Sequence, residues 1–410
     1  MTLKKLFGLW VLTAAVLLTA FPVGAQDWPQ WRGPARDGVV PSFQVPESWP
    51  ESLTPQWEIE VGLGYATPVL VDDHLYVFSR QGDDEILMAL DPRSGDTLWE
   101  TRYAAPFDVV GAAARHGKGP KATPTYAAGR LFTLGMSGIV TAFDAETGAI
   151  TWQRPADAIQ PSFHTAMSPV VDGERVIVHV GGHNQGALTA FDVSTGAAVW
   201  SWDGDGPAYG SPVIAEMEGT RQVIVFTQEN FVGVSLADGA LLWRRPFTTQ
   251  ATTTSQTPIV YDGDVIQAGR GNGITRFRVV REGTAWTTED LWHTDDVSLH
   301  MANGVVVDGV LYGLSHLNSG QYFGLDLDTG DVLWTSTPRQ ADHASMLTTG
   351  QVVFSLEADG ELVILDSSRD EFSPQQRYAV ATSASWGQPT LSENRVFVRG
   401  VTSLALWTVE

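Results

Sequence analysis

The sequence consists of short runs in which residues are apolar or alternate between apolar and polar, and glycine, proline and aspartate bound each run. The clearest unit comprises the runs 168–173, 175–180, 187–192 and 199–201. β-Branched and aromatic residues fill these runs, and turn-forming residues separate them, which is typical of strands joined by tight hairpins. The pattern predicts a four-stranded antiparallel meander.

The predicted last strand of a unit carries a tryptophan, and this feature recurs along the chain. The seven members are Trp57, Trp99, Trp152, Trp200, Trp243, Trp292 and Trp334. Their spacings are 42, 53, 48, 43, 49 and 42 residues. A period of this size indicates a repeat architecture, in which each unit buries its apolar face against its neighbours. We expect the indoles to pack between adjacent units rather than to form a cofactor platform.

A second recurring element, a short turn, precedes the tryptophan strand. Its copies are Asp91-Pro-Arg-Ser-Gly95, Asp144-Ala-Glu-Thr-Gly148, Asp192-Val-Ser-Thr-Gly196, Asp326-Leu-Asp-Thr-Gly330 and the shortened Ala237-Asp238-Gly239. Aspartate and threonine side chains bond local backbone in such turns, and glycine supplies a positive φ. The spacing and terminal glutamate of a calcium-binding EF-hand loop are absent. We therefore interpret these acids as hairpin caps and predict no metal site.

Counting strand starts gives the number of units independently. The starts lie near Pro68, Pro124, Pro169, Pro212, Pro258, Gly304, Met346 and Pro389. Residues 389–410 supply three strands, and 56–61 would complete that unit as its fourth. We predict an all-β, eight-bladed β-propeller of four-stranded antiparallel blades, closed by an N-terminal strand that completes the last blade. Seven blades is the alternative if two weak units near 345–410 merge.

The N-terminal region precedes the repeats. Residues 1–25 have Lys4 and Lys5, an apolar stretch and small residues before the cleavage point, which indicates a signal peptide cleaved near Ala25. Residues 26–53, with five prolines, are predicted to be an extended strap, and 54–410 a single propeller domain. We expect Arg32 and Arg36 to pair with propeller acids. The sequence thus predicts a periplasmic or secreted protein that is not inserted in a membrane after cleavage.

The composition excludes several classes of binding partner and of site chemistry. The formal net charge is −22, which argues against nucleic acid and anionic membranes as partners. The chain has no cysteine, and this excludes disulfides, thiolate metal sites, thiol nucleophiles and a lipid-bearing cysteine.

These features resemble the quinoprotein-type (PQQ-like) repeat β-propellers. Residues 142–152 (AFDAETGAITW) and 190–200 (AFDVSTGAAVW) look like the A-x-D-x-x-T-G-x-x-x-W core of that repeat, and Trp28–Gly38 (WPQWRGPARDG) is similar to the opening of secreted PQQ-like repeat proteins. The resemblance implies one of two roles. Quinoprotein dehydrogenases bind pyrroloquinoline quinone and calcium on the propeller axis, whereas eight-bladed propellers of outer-membrane assembly bind protein and no quinone.

Departures from the dehydrogenase pattern favour the second role. Those enzymes stack the quinone against a ring formed by adjacent cysteines, and they carry long insertions. Here the longest insertions between blades are 103–122 and 156–167. We therefore expect a non-catalytic binding scaffold for a protein or polymer of the cell envelope, monomeric and without a cofactor. The alternative is a quinone-binding protein or quinone-dependent oxidoreductase, with quinone and calcium at the channel mouth.

Candidate site residues come from the linkers between blades, which converge on one face of the central channel. The candidates for ligand binding are Tyr65, Lys118, Lys121, His164, Tyr209, Gln256, His300, His343 and Trp386. Imidazole, phenol and ammonium groups together suit a polar or anionic ligand on an otherwise acidic body. The alternative is that they line a solvated channel. No catalytic residue is predicted.

Overall fold

The structure, a computed structural model, describes residues 27–109, 111–156, 159–250 and 253–410. The predicted signal peptide, 1–25, lies outside the described residues. Within these described ranges, thirty-two strands form eight sheets of four strands each. The prediction of eight blades is confirmed, and the alternative of seven is wrong because residues 344–379 form one complete sheet and 390–408 supply three strands of another, which 54–60 complete.

The strands are numbered in chain order. The first half comprises β1 (Thr54–Glu60), β2 (Val69–Val71), β3 (His74–Gln81), β4 (Asp84–Leu90), β5 (Thr97–Ala104), β6 (Thr125–Ala127), β7 (Arg130–Leu134), β8 (Val140–Asp144), β9 (Ile150–Arg154), β10 (Val170–Asp172), β11 (Arg175–Gly182), β12 (Gln185–Asp192), β13 (Ala198–Trp202), β14 (Val213–Met217), β15 (Thr220–Phe226) and β16 (Asn230–Ser235). The second half comprises β17 (Leu241–Pro246), β18 (Ile259–Tyr261), β19 (Asp264–Ala268), β20 (Ile274–Glu282), β21 (Ala285–Thr294), β22 (Val305–Val307), β23 (Val310–Ser315), β24 (Gln321–Asp326), β25 (Val332–Thr335), β26 (Ala344–Thr348), β27 (Val352–Glu357), β28 (Glu361–Asp366), β29 (Pro374–Ala379), β30 (Thr390–Ser392), β31 (Arg395–Arg399) and β32 (Ser403–Thr408). Short 3-10 helices cover Gly111–His116 and Leu317–Ser319.

Blades 1 to 7 are consecutive antiparallel meanders, from β2–β5 to β26–β29. Blade 8 has the order β1-β32-β31-β30, so its outer strand comes from the N-terminal side of the ring and its other strands from the C-terminal end. The first strands of blades 1 and 2, of blades 2 and 3, and of blades 6 and 7 contact one another. This closure pairs the edge of β32 that an open array would expose.

In such a meander, linkers between blades and loops between second and third strands lie on the same face. We call it the mouth face, and the opposite one the far face. The apolar core lies between blades, as in the cluster that joins Phe132 of blade 2, Val178 of blade 3 and Val223 of blade 4. Neighbouring blades therefore share their buried surface, which is why one repeat alone has no core.

The repeated tryptophans join each blade to the next. In five blades the indole Nε1 donates to a backbone carbonyl in the turn of the following blade, at 2.8–3.2 Å; the acceptors are Ala145, Val193, Leu236, Leu327 and Ser368. Gly330 lies under the Trp292 ring, where a Cβ would come within 2.7 Å of Cδ2. The turn aspartates cap their own hairpins: hydroxyl and backbone donors of Ser194 and Thr195 lower the pKa of Asp192 to about 2.

Trp243 departs from this arrangement. Its Nε1 donates to Gln222 Oε1 of its own blade at 2.7 Å, and its ring meets Phe277 edge to face. The reason is the following blade, where β20 and β21 continue as one long hairpin and the aspartate-glycine turn is missing. No turn carbonyl faces the indole there.

The segment before β1 passes through the axial channel. Trp28 exchanges two backbone hydrogen bonds with Leu70 of blade 1, at 2.6 and 3.1 Å, and the Val40 N–H donates to the Thr348 carbonyl of blade 7 at 2.7 Å. Between these contacts the chain turns over residues 31–37. Residues 28–40 therefore form a loop inside the ring, which we call the axial loop. The division into signal peptide, strap and propeller stays a prediction.

Arg32 and Arg36 anchor the axial loop. Arg36 is 4% exposed and donates to the carbonyls of Pro169 and Pro212, where blades 3 and 4 begin. Arg32 is 1% exposed and donates to the Gly304 carbonyl of blade 6 at 2.7 Å. Burial lowers their pKa values to about 10 for Arg32 and about 9 for Arg36. The expectation that they pair with propeller acids is wrong. Their partners on the blades are backbone carbonyls, because the starts of the first strands converge on the axis and present their carbonyls there.

Candidate functional site

A bowl opens on the mouth face, above the axial loop. Its main cavity has a volume of about 440 Å³, and we call it the mouth pocket; Lys121, Tyr209, Arg270, His300 and Trp386 are among its lining residues. An adjoining cavity of about 140 Å³ reaches down to Trp31 at the tip of the axial loop. Trp31 Nε1 donates to Thr257 Oγ1 at 2.8 Å, which holds the indole in place as a floor.

Five of the nine sequence candidates border these two cavities: Tyr65, Lys121, Tyr209, His300 and Trp386. His343 borders a smaller cavity of about 50 Å³ beside Trp386. Lys118, His164 and Gln256 are not among the residues that line these three cavities. The role of all nine in ligand binding stays a prediction.

His164 and Lys118 pack around the first long insertion. The His164 ring is buried and meets Phe107 edge to face at 4.7 Å, and burial followed by the charge of Lys121 lowers its pKa to about 4. The Lys118 ammonium donates to the Phe107 carbonyl at 3.1 Å and lies 5.5 Å from the centre of that ring. His164 therefore packs against the first long insertion from the next linker, whereas Lys118 makes its contacts within the insertion.

Three histidines cluster at one side of the bowl. The His300 ring centroid lies 5.8 Å from that of His343 and 5.8 Å from that of His316. Burial, and then the neighbouring His343 and Arg270, lower the pKa of His300 to about 4, so it is neutral near pH 7. Within the described ranges, no group of three or more histidine, aspartate or glutamate side chains is arranged to hold a metal ion.

Trp386 is the aromatic centre of the bowl. Its ring stacks on Tyr65 with centroids 5.1 Å apart and planes 23° apart, and His116 packs against it at 4.6 Å. Lys121 lines the same pocket, and its ammonium donates to the Phe163 carbonyl at 2.7 Å. The backbone N–H of Phe163 donates in turn to the Tyr209 hydroxyl at 3.1 Å. Aromatic faces and a positioned ammonium therefore share one concave surface.

Sequence reasoning missed Arg270, His316 and Trp31. Arg270 and His316 lie in loops between the second and third strands of blades 5 and 6. The candidate residues all come from the linkers between blades, although both sets of loops reach the mouth face. The glycine-rich run around Arg270 was the available signal for that loop. Nothing in the repeat pattern indicates that Trp31 enters the channel.

The mouth pocket differs in charge from the rest of the molecule. The chain has 47 acidic against 25 lysine and arginine residues. Among the described residues that line the mouth pocket, Lys121 and Arg270 are present and there is no aspartate or glutamate. A concave, cationic and aromatic surface on an acidic body favours anionic ligands.

A family model described as outer membrane protein assembly factor BamB matches residues 82–336. The chain belongs to this family. BamB of Yersinia pestis is 25% identical over 231 residues, which cover 52% of this chain and 55% of that protein. The chain thus matches about half the length of this curated relative.

Solved structures show the same fold. BamB from Moraxella catarrhalis superimposes with a TM-score of 0.62 at 18% identity, covering 87% of this chain and 99% of that chain. Quinohemoprotein alcohol dehydrogenase from Comamonas testosteroni gives a TM-score of 0.68 at 15% identity, covering 93% and 80%. The resemblance to PQQ-like propellers is confirmed, and likenesses at these identities concern the fold alone. No helix in the described part of the chain has the length and apolar character to cross a membrane.

Proposed function

We propose that this chain is a non-catalytic, extracytoplasmic β-propeller that acts as a binding scaffold for a protein partner in the cell envelope. Membership of the BamB family supports a protein partner, and the predicted signal peptide supports the location. The axial loop carries the argument against a catalytic role, because it occupies the part of the ring where the resemblance to dehydrogenases implies a quinone.

The residues on the axis do not fit quinone and calcium. Trp28 is 1% exposed among the blades. Arg32 and Arg36 donate hydrogen bonds to backbone carbonyls at the strand starts and within the loop itself. A quinone on the axis would have to displace this loop and leave those carbonyls unpaired. The described residues also include no cluster of three potential metal ligands.

The second candidate is a quinone-binding protein or quinone-dependent oxidoreductase with its site at the channel mouth. The mouth pocket supports it, because Lys121 and Arg270 could neutralise carboxylates beside Trp386. Titration calorimetry of the mature protein with pyrroloquinoline quinone and Ca²⁺ tests it. We expect no heat and no dye-linked alcohol oxidation. Quinone absorbance retained after desalting, together with such oxidation, would replace our proposal by this one.

A site-specific crosslink tests the scaffold itself. We expect a photoreactive amino acid at Met301, which is 36% exposed beside the mouth pocket, to capture one defined envelope protein in cells. The matched position is Leu98, which is 50% exposed on the outer strand β5. Capture of the same proteins from both positions, or from neither, would contradict a partner that docks on the mouth face.

A further inference from the structure

We propose that a groove on the far face of the propeller binds the sugar rings of a neutral glycan. The groove has residues 45–49 on one side and Gln351, Asp366, Gln375 and Gln376 of blade 7 on the other, and we call it the far groove. Such a site goes beyond the proposed function, because it lies on the face opposite to the mouth pocket. It is indicated by a break in the tryptophan repeat and by the side chains that surround the resulting cavity.

The repeated tryptophan is missing from blade 7. In the other blades it pairs with the third strand directly after a β-bulge, as Trp334 does with Gly324. The corresponding residue of blade 7 is Gln376, which pairs with Ile364 after the bulge at Gln375. Blade 8 has no hairpin turn for an indole to cover, because its third and fourth strands, β32 and β1, come from the two ends of the described chain. The contact between indole and turn is therefore absent between blades 7 and 8.

A cavity of about 450 Å³ lies beside Gln376. Its other wall, residues 45–49, belongs to the segment that leads from the axial loop to β1. Phe43 of this segment is 5% exposed and meets Phe354 of blade 7 edge to face at 4.9 Å, which holds the segment on the blade. The volume lies in the range of about 300–1,000 Å³ that small-molecule sites occupy. The far groove is therefore formed before any ligand binds.

Trp49 supplies an aromatic wall of the far groove. Its ring meets Phe354 edge to face with centroids 5.8 Å apart, and it is partly exposed where it borders the cavity. The face of an indole carries negative potential, which attracts the weakly positive C–H groups on one side of a sugar ring. Because the indole is already fixed by Phe354, stacking a sugar on it costs little conformational entropy.

Polar side chains form most of the remaining wall. The side chains of Glu47, Gln351 and Gln376 make no hydrogen bond or ion pair with a described residue. Gln375 donates through Nε2 to Asp366 Oδ2 at 2.6 Å and keeps its Oε1 for another partner. An amide both donates and accepts, as does each hydroxyl of a sugar. Several amides around one aromatic face therefore match neighbouring hydroxyls on a sugar ring.

The charge of the far groove disfavours acidic glycans. Among the described residues that line it, Glu47 and Asp366 are acidic, and there is no lysine, arginine or histidine. A uronate or phosphate would lie beside two carboxylates with no cation to compensate. Hydroxyl and acetamido groups instead donate hydrogen bonds to carboxylates. The ligand that these side chains fit is therefore a neutral glycan.

Calorimetry of the mature protein with soluble pentasaccharides tests this chemistry. Cellopentaose and N-acetylated chitopentaose are the neutral probes, and pentagalacturonate is the anionic one. We expect at least one neutral probe to bind and pentagalacturonate to bind at least about tenfold more weakly. The neutral probe that binds distinguishes a glucan from a glycan of N-acetylated amino sugars. Absence of binding by both neutral probes, or equal binding of pentagalacturonate, would overturn the proposal.

Variants locate the binding site. Gln376→Trp restores the residue of the repeat and fills the cavity, so it should abolish glycan binding without lowering the midpoint of urea unfolding. Trp49→Ala should weaken binding about tenfold and Trp49→Phe less, and Gln351→Ala, in an exposed turn, tests the amides without disturbing packing. Gln44→Ala is the control, because Gln44 is exposed on the same segment and does not line the far groove. Equal affinity of Gln376→Trp and Gln44→Ala would show that the glycan binds elsewhere.

Pentalysine tests a competing occupant, since two carboxylates also attract ammonium groups. The formal net charge of −22 attracts this peptide to the whole surface, so we expect the parent protein and Gln376→Trp to bind it equally. Pentalysine binding that Gln376→Trp removes would assign the far groove to a basic peptide and overturn the proposal. Met301 lies on the mouth face, so its crosslink tests the proposed function and is independent of these results.

Discussion

Replacing Arg36 by Met is expected to lower the free energy of unfolding by about 3 kcal/mol, since each buried charge-assisted hydrogen bond contributes about 1.5–3 kcal/mol. The guanidinium donates to carbonyls at the starts of blades 3 and 4 and to Gln30 Oε1. Methionine fills similar space but leaves those carbonyls without their donor inside the ring. The loss is therefore mostly the cost of unsatisfied buried acceptors.

Urea unfolding, followed by far-ultraviolet circular dichroism, measures this change. Arg93→Met is the control, because Arg93 is 74% exposed in an ion pair with Asp73 and such pairs contribute about 0–1 kcal/mol. Limited proteolysis provides a local readout, since a loosened axial loop should be cut before the blades. Equal stability of the two variants would show that the axial loop is not anchored through Arg36.

The architecture was predictable because its signals are local. Each turn aspartate bonds donors two or three residues away, and each tryptophan packs on the next copy of the same turn. Counting the strand starts gave the number of blades, and Trp57, which precedes the first start, gave the closure through β1. The prediction deviates at Trp243, whose neighbouring blade has replaced the turn by the long β20–β21 hairpin.

The axial loop was not predictable in this way. Residues 28–40 have no period, and their partners are carbonyls, which every residue possesses. An arginine in such a segment gives no indication of whether it meets acids or converging strand starts. Only the assembled ring creates that concentration of acceptors.

About half of the candidate site could be predicted from the sequence, and the reason is geometric. Linkers between blades must reach the mouth face, so Lys121, Tyr209 and Trp386 could be located from strand order. Which way a linker side chain turns depends on its neighbours: His164 turns under Phe107, whereas His300 borders the pocket. The loops that carry Arg270 and His316 reach the same face, and counting both loop sets would have found them.

Replacing Trp292 by Ala is expected to destabilise the ring by about 3 kcal/mol, in the range of large-to-small substitutions at packed aromatic sites. The indole covers Gly330 and donates to the Leu327 carbonyl at 2.8 Å, so it holds blade 5 to blade 6. Alanine removes both contacts and opens a gap between the blades. Because stability in repeat proteins depends on nearest-neighbour interfaces, the whole ring should unfold at lower urea concentration.

Trp286 on the same strand is the matched control. It packs at the partly exposed edge of the core between blades 4 and 5, with Arg281 over its ring at 5.2 Å, and Trp286→Ala should cost about 1–2 kcal/mol, less than Trp292→Ala. Trp292→Phe separates the contribution of ring packing from that of the hydrogen bond, because phenylalanine keeps the packing and loses one hydrogen bond of about 1 kcal/mol. Equal midpoints for Trp292→Ala and Trp286→Ala would mean that blades are held by strand closure through β1 and not by the repeated indoles.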